Sequence, residues 1–261
     1  MFKVLTIAGS DSCCGAGVQA DLKVINTLGA YGTSAITAVT AQNTLGVSSV
    51  FNVPASIVGQ QIEAVISDIG ADSLKTGMLV SEDIVEIICD MFRKHSLNNL
   101  VVDPVITSHK GERLLSDEGV NKLVSDLIPL SCLVTPNIPE AEILTDRKIE
   151  NLSDIKDAAC AMFEQGATNV LIKGGHVDDY ENGEITDLFY DGIEFQYFSE
   201  KRINTDNVHG TGCMYSAAIA TELAKGNEMI SSIIVAKKFI TNIIKESTMP
   251  GKGNRLADFT Q

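Results

Sequence analysis

The chain has 261 residues, of which 44% are hydrophobic, and its formal net charge is −14. An acidic surface repels phosphate backbones, which argues against nucleic acid as a partner, and no apolar run is long enough to cross a membrane. Because the N-terminus lacks the layout of a signal peptide and the six cysteines form no C-x-x-C pair or zinc pattern, we expect a cytoplasmic protein with reduced thiols.

Apolar runs of strand length alternate with segments of helical period along the chain. The strand candidates are KVLTIAG, TSAITAVTA, SLKTG, NLVVDP, CLVTPN and NVLIKGG. The helix candidates are GVQADLKVINTLG, PASIVGQQIEAVISDIG, SEDIVEIICDMFRKH and residues 117–128, 153–165, 212–225 and 228–247. This alternation predicts an α/β fold with a mostly parallel central sheet flanked by helices on both faces.

One segment breaks the alternation. TDLFYDGIEFQYFSEKRI alternates around Asp191-Gly192, a dipeptide typical of a tight β-hairpin turn. The sequence shows no linker and no internal repeat, so one domain is the simplest prediction.

Most of the predicted strands end in polar or glycine-rich loops. These loops read AGSDS, TAQNT, KTGM, VDPV, TPNIPE and IKGGH. In open parallel sheets the ligand crevice lies beyond the carboxyl ends of the strands, so we expect the loops to converge on one site.

The motif HGTGC precedes an apolar helix and points to an anion site. The glycines allow the backbone amides of Gly210, Thr211, Gly212 and Cys213 to turn inward, where the helix N-terminus favours a phosphoryl group. An ordinary glycine turn explains the motif about as well on its own. At the helix start the Cys213 thiol is expected to have a lowered pKa and to accept a proton or shape the pocket, although it could be a packed small residue.

Polar residues after three other strands suggest metal and nucleotide contacts. Asn137 and Glu140 could hold waters of a Mg²⁺ bound to phosphates, with Asp103 facing the metal. A capped helix start accounts equally well for Asn137 and Glu140. Lys173, Gly174 and Gly175 could meet a nucleotide, or form a plain turn.

The first two loops suggest a small flat substrate. The carboxamide of Gln42 offers a donor and an acceptor, the pattern needed to read an aminopyrimidine edge, although it could be a surface turn residue. The histidines beside these loops, His109, His176 and His209, are expected to be surface or supporting residues rather than catalysts. No Walker A motif and no G-x-G-x-x-G motif occurs, which argues against a P-loop fold and a standard dinucleotide-binding fold.

The ordered set TIAGSDSCCGAGVQADLK, ITAVTAQNT, KTGM, VVDPV, TPNIPEAE, IKGGH and HGTGC resembles a known family over nearly the whole chain. It is similar to the hydroxymethylpyrimidine/phosphomethylpyrimidine kinases of thiamine biosynthesis, in the ribokinase-like superfamily. The resemblance implies a single ribokinase-like kinase domain over residues 1–261, use of ATP and Mg²⁺, and a homodimer. It also implies two successive phosphorylations of 4-amino-5-hydroxymethyl-2-methylpyrimidine, first to the monophosphate and then to the diphosphate.

The resemblance also implies roles for individual residues. Gln42 would read the pyrimidine, Gly210 to Cys213 would form the anion hole, and Asn137 and Glu140 match the magnesium-side motif. The other positions that match the substrate pocket are Gly9, Ala16, Asp21, Met78 and Val105. The chain departs from the family where ITSHKG displaces Lys110 by one position, and where Cys13 and Cys14 partly replace a glycine pair in the first loop. Cysteine at 213 is shared with the pyrimidine kinases, whereas wider ribokinase-like enzymes carry aspartate at that position.

Two alternatives remain open. A pyridoxal or pyridoxine kinase of the same superfamily branch resembles this chain, including the glycine turn ending in cysteine, but resembles it less at TAQNT. A non-catalytic sensor of a pyrimidine or nucleotide is a remote alternative, motivated by the missing aspartate at position 213.

Overall fold

The computed structural model describes residues 1–108, 111–174, 183–205 and 208–259. Its strands form one nine-stranded sheet in the described part of the chain, in the order β3-β2-β1-β4-β5-β6-β7-β8-β9. The strands are β1 (Lys3–Asp11), β2 (Tyr31–Asn43), β3 (Gly46–Asn52), β4 (Ser73–Thr76), β5 (Leu100–Val102), β6 (Leu133–Val134), β7 (Val170–Ile172), β8 (Glu184–Tyr190) and β9 (Phe195–Lys201). Every pair from β2 through β1 to β7 is parallel, and the antiparallel pairs lie at the two edges of the sheet.

Helices cover both faces of the sheet. They are α1 (Gly17–Thr27), α2 (Ala55–Asp68), α3 (Glu82–Lys94), α4 (Asp117–Lys122), α5 (Ile138–Thr145), α6 (Leu152–Glu164), α7 (Thr211–Ala224) and α8 (Met229–Lys245). The α/β prediction with a mostly parallel sheet is therefore confirmed. The segment expected as one helix over 117–128 is α4 followed by a π-helical turn and a 3₁₀ turn that ends at Leu130.

Two apolar clusters, one on each face, explain why most of the parallel strands are rich in hydrophobic residues. Leu5 and Ile7 of β1 pack with helices α2 to α6, whereas the preceding residue Val4 packs with α1, α7 and α8. Side chains alternate across a strand, so a strand covered on both faces needs apolar residues at every position.

The antiparallel edges differ from each other in how well the sequence predicts them. The hairpin of β8 and β9 is confirmed, with Gly192 at φ +88° and Asp191 accepting the N–H groups of Ile193 and Glu194. Strand β3 was not predicted, because its residues GVSSVFN are almost all exposed and show no buried stripe.

None of the helices in the described ranges is both long and apolar enough to span a membrane.

Candidate active site

A cavity of about 630 Å³ lies beyond the carboxyl ends of the central strands. Because the strands are parallel, their following loops meet at this edge, as expected from the sequence. Of the predicted site residues, those lining the cavity are Gly9, Ala16, Gln42, Met78, Asp103, Val105, Asn137, Glu140, Lys173, Gly210, Thr211, Gly212 and Cys213. Gly175 lies outside the described residues, as do His109, Lys110 and His176.

The glycine turn at one wall of the cavity begins helix α7. Gly210 caps this helix with φ +82°, and a β-carbon there would lie 2.0 Å from the carbonyl oxygen of Gly15. Only glycine combines this left-handed conformation with such a close approach. A β-carbon on Gly212 would lie 3.2 Å from Lys173 Nζ, so the lysine cation stands beside the start of the helix. The arrangement suits an anion.

Cys213 lies in the first turn of α7 and lines the cavity, but its thiol differs from our expectation. Burial raises the pKa of Cys213 to about 11; the positive charge of Lys75 lowers it, and the carboxylates of Asp103 and Asp21 add to the increase. The predicted lowered pKa is therefore wrong. At neutral pH the side chain is a neutral thiol, because desolvation outweighs the helix N-terminus.

Lys173 and Asp103 form an ion pair on the cavity wall, with Lys173 Nζ 2.7 Å from Asp103 Oδ1. Ser216 Oγ donates to the other carboxylate oxygen at 3.2 Å. Burial opposes ionisation of Asp103, but the charges of Lys173 and Lys75 lower its pKa below the usual range. The pair therefore presents a cation that is fixed in place by an ionised carboxylate.

Asn137 and Glu140 form a capping box at the start of α5. Asn137 Oδ1 accepts the N–H of Glu140 at 2.9 Å, and Glu140 Oε2 accepts the N–H of Asn137 at 2.9 Å. Burial raises the pKa of Glu140 to about 7; Lys173 lowers it, and the charge of Asp103 contributes to the increase. The prediction that Asn137 and Glu140 cap a helix is therefore confirmed, and both residues also line the cavity.

Gln42 lies within β2 rather than in a loop after it. Its Nε2 atom lies 2.8 Å from His209 Nε2, and the same ring nitrogen lies 3.1 Å from Asp11 Oδ2. We expected a surface or supporting role for His209; it is half-buried and contacts a predicted substrate residue. Asp11 was not predicted as part of the site, although its position at the end of β1 was a signal.

Asp21 is the predicted pocket residue that the structure does not place on the cavity wall. Its carboxylate is fully buried, binds Lys75 Nζ at 2.9 Å and accepts a hydrogen bond from Thr6 Oγ1 at 2.6 Å. Its expected role as a lining residue is therefore corrected to that of a buried ion-pair partner.

A second polar group in the cavity was missed from the sequence. Asp187 of β8 accepts hydrogen bonds from Lys237 Nζ at 2.6 Å and from Tyr215 Oη at 3.0 Å. Nearby apolar lining comes from Ile203, Ile240 and Ile244. No motif in the sequence marks these residues as part of the site, because they come from the antiparallel hairpin and the last two helices rather than from loops after parallel strands.

One cluster has the composition of a metal site. Ligand atoms of Asp11, Cys13 and His209 lie within 4.8 Å of one another. However, burial raises the pKa of the Cys13 thiol to about 11, and the adjacent Asp11 carboxylate contributes. The three side chains contact one another directly, since Cys13 Sγ donates to Asp11 Oδ2 at 3.3 Å and His209 Nε2 lies 3.1 Å from the same oxygen, so we describe the cluster as a hydrogen-bonded group.

Comparisons of the sequence with known proteins agree on one family. The sequence profile described as phosphomethylpyrimidine kinase matches residues 11–258. The hydroxymethylpyrimidine/phosphomethylpyrimidine kinase of Bacillus subtilis is 44% identical over 254 residues, which cover 97% of this chain and 93% of the relative. The solved phosphomethylpyrimidine kinase from Clostridium difficile has a TM-score of 0.83 at 41% identity, covering 94% of this chain and all of that one. An ADP complex of Bacillus subtilis pyridoxal kinase has a TM-score of 0.90 at 35% identity, covering all of this chain and 98% of that one.

Proposed function

From the premise that the chain belongs to the phosphomethylpyrimidine kinase family, we propose its reaction and the residues that carry it. The protein is an ATP-dependent kinase with a ribokinase-like fold. It phosphorylates 4-amino-5-hydroxymethyl-2-methylpyrimidine and then the resulting monophosphate, in thiamine biosynthesis. The observation that carries the proposal is that Gln42 and the Gly210–Cys213 turn face one cavity.

The pyrimidine is proposed to bind at the β2 side of the cavity. Gln42 offers a carboxamide edge there, while Gly9, Met78 and Val105 provide an apolar lining for the ring. A carboxamide can accept from an exocyclic amino group and donate to the neighbouring ring nitrogen. A site built for such pairing discriminates strongly against rings that lack the amino group.

ATP is proposed to occupy the side of the cavity toward β8 and β9. Ile203, Ile240 and Ile244 offer apolar surface for a purine base, and Lys237 is a nearby cation. The phosphates would then extend toward Lys173 and the start of α7. The solved relative from Staphylococcus aureus, a pyridoxal kinase complex with AMP-PCP and pyridoxal, supports a nucleotide in this fold.

The donor set at the phosphate end fits Mg²⁺. Asp103 and Glu140 both present carboxylates to the cavity, and the charge of Asp103 helps to raise the pKa of Glu140. Carboxylate oxygens are the ligands that Mg²⁺ prefers, and it keeps several waters when bound with phosphates. These two residues, with Asn137, would hold the ion through its waters. When bound, Mg²⁺ neutralises charge on the transferring phosphates.

Positioning and charge stabilisation are proposed to carry the phosphoryl transfer. The backbone amides at Gly210–Cys213 and the Lys173 cation would stabilise the charge that develops on the transferred group. Phosphoryl transfer passes through a loose transition state with little demand for a strong base, so the neutral thiol of Cys213 is compatible with turnover. Cys213 would then orient or shape the reacting end of the substrate.

The proposed reaction is tested by ATP consumption with Mg²⁺ and, in parallel, hydroxymethylpyrimidine, its monophosphate or pyridoxal. We expect turnover with both pyrimidines and little with pyridoxal. Gln42→Ala should remove most of the turnover with pyrimidine, whereas Gln60→Ala, an exposed glutamine on α2, should not change it. Turnover mainly with pyridoxal would favour the alternative kinase, and binding without turnover would favour a sensor.

We further propose a homodimer of single-domain subunits over residues 1–261, located in the cytoplasm. Residues on β2, β3 and their connecting turn leave an apolar edge exposed, consisting of Val39, Leu45, Val47, Val50 and Phe51. Such an edge commonly pairs with another chain. The six cysteines are free thiols, which fits a reducing compartment.

The dimer is tested by sedimentation. Phe51, which is 69% exposed on β3, would be replaced by aspartate, and we expect a monomer. Ile193→Asp is the matched control, since Ile193 is 90% exposed in the hairpin turn at the other side of the sheet. A wild-type monomer, or a Phe51→Asp dimer as stable as the control, would contradict the proposal.

A further inference from the structure

We propose that His209, held by Asp11, fixes which end of the Gln42 carboxamide accepts and which end donates, and that it thereby sets the preference of the site for an aminopyrimidine. His209 is a positioning residue in this role, because it acts through Gln42. The inference rests on the proposed function and concerns the same substrate pocket.

Asp11 provides a fixed negative charge at the base of this arrangement. Its carboxylate accepts backbone N–H groups from Cys13 at 2.9 Å, Gly15 at 3.1 Å and Ala16 at 2.8 Å. Burial works against ionisation, but hydrogen bonds from His209, Cys13 and Ala16 lower the pKa of Asp11 to about 2. The carboxylate is therefore charged and held in place throughout the physiological pH range.

The position of the His209 ring is restricted by its neighbours. The backbone N–H of His209 donates to the carbonyl of Arg255 at 2.9 Å. Gly15 packs against the ring so closely that a β-carbon at that position would lie 2.7 Å from His209 Cδ2. The ring therefore presents one nitrogen, Nε2, to both Asp11 and Gln42.

The charge of Asp11 decides where the proton of this nitrogen lies. Asp11 Oδ2 is 3.1 Å from His209 Nε2, a distance at which an ionised oxygen favours an N–H group over a lone pair. A protonated Nε2 can donate but cannot accept. The carboxamide end that faces it, at 2.8 Å, is then most stable as oxygen.

Gln42 can meet this requirement by reversal of its carboxamide alone. Its backbone is fixed, since its N–H donates to Ser12 Oγ at 2.7 Å and its carbonyl accepts from the same hydroxyl at 2.8 Å. The two ends of a carboxamide have the same shape, so hydrogen-bond partners determine their order. With Oε1 toward His209, the amide nitrogen lies beside Thr40 Oγ1, which can accept from it.

The order of the two ends matters for recognition. An aminopyrimidine edge presents an amino donor next to a ring nitrogen acceptor. A carboxamide matches it in one orientation and opposes donor to donor in the other. Loss of the His209 contact would allow both orientations, which weakens binding of the aminopyrimidine without removing any direct contact to it.

Three variants test this. His209→Gln retains an amide N–H close to the place of Nε2, whereas His209→Leu retains volume without a donor, and Gln42→Ala removes the carboxamide. Each is made alone, and His209→Leu is also combined with Gln42→Ala. The probes are hydroxymethylpyrimidine and the same ring without its amino group. KM and kcat come from ATP consumption, and Kd comes from calorimetry without nucleotide.

We expect His209→Leu to raise KM and Kd for hydroxymethylpyrimidine about tenfold, with a smaller change in kcat, and His209→Gln to stay within about threefold of wild type. For the ring without the amino group the change in Kd should be less than about threefold. In the Gln42→Ala background, His209→Leu should add little, because the two residues act as one unit.

The inference would be overturned by any of three results. These are equal effects of His209→Leu on the binding of both rings, a full additional loss in the Gln42→Ala background, or a loss of binding in His209→Gln as large as that in His209→Leu. Should His209→Leu fail to fold by circular dichroism, His209→Asn, whose shorter amide cannot reach Gln42, replaces it in the same comparison. Wild-type protein that binds the pyrimidine without phosphorylating it would contradict the proposed function alone. Wild-type protein that does not bind it would contradict both.

Discussion

Lys75 Nζ and Asp21 Oδ2 lie 2.9 Å apart, and neither side chain has any solvent exposure. Lys75 comes from β4 and Asp21 from α1, so the pair joins the sheet to the helix that follows the first cavity loop. Burial works against the charge of Lys75, but Asp21 raises the lysine pKa well above its usual value. Lys75 also lowers the pKa of the Cys213 thiol, in the first turn of α7.

Breaking this pair should destabilise the protein strongly. Lys75→Met leaves the buried Asp21 carboxylate without its cationic partner, and we expect a loss of about 3–5 kcal/mol in the free energy of unfolding. The double variant Lys75→Met/Asp21→Leu should lose less than Lys75→Met alone. Urea denaturation measures both.

The exposed pair of Lys94 and Glu63, at 2.7 Å, is the control. Lys94→Met should cost less than about 1 kcal/mol, because surface ion pairs are screened by solvent. A double variant at Lys75 and Asp21 that is as unstable as the sum of its single changes would show that the two side chains act independently.

Lys173→Met should lower kcat by about 10²–10³, since it removes the cation that stands beside the start of α7. Its loss also leaves Asp103 with one fewer partner, so thermal unfolding must be followed beside steady-state kinetics. Lys148→Met, at a side chain that is 84% exposed, controls for removal of a lysine. A kcat within about threefold of wild type would exclude Lys173 from charge stabilisation.

Cys213 should give no pH dependence of kcat between about pH 7 and 9. With a thiol pKa of about 11, the thiolate is a small fraction in this range and grows about tenfold with each pH unit. A mechanism through the thiolate would therefore make kcat climb with pH. We expect Cys213→Ala to keep the fold and to lower kcat by about tenfold at every pH in this range. A rise in wild-type kcat that Cys213→Ala abolishes would identify the thiolate as the base.

Gly210→Ala should reduce both stability and activity, because its β-carbon would meet the Gly15 carbonyl and the residue has a positive φ. Gly226→Ala is a matched control at the other end of α7, with φ +84° and no atom within 4 Å of the added carbon. The control should cost about 1–2 kcal/mol and retain kcat, since it carries the strain of the left-handed conformation alone. Melting temperature and kcat separate the two effects, and equal behaviour of the variants would mean that the close approach is unimportant.

Local features of the sequence determined much of the fold. Strands β1, β5 and β7 contain apolar runs that are buried on both faces, and the residue types of these runs indicate that burial. Strand β4 is equally buried but carries Lys75, whose burial the residue types do not indicate. Asp191-Gly192 specifies its turn through local hydrogen bonds. Strand β3 escaped prediction because its pairing with β2 uses backbone groups, which every residue carries, while its side chains remain exposed.

The sequence by itself also indicated the glycine turn and most of the strand-end loops, because these depend on neighbours within a few residues. It assigned Gln42 to a loop, whereas pairing with β3 extends β2 through Asn43. Only the tertiary structure decided that Asp21 is buried beneath the site, that Cys213 is a neutral thiol and that His209 meets Asp11 across 198 positions of sequence. Burial and Coulomb interactions depend on distance in space, and a linear pattern of residue types does not contain those distances.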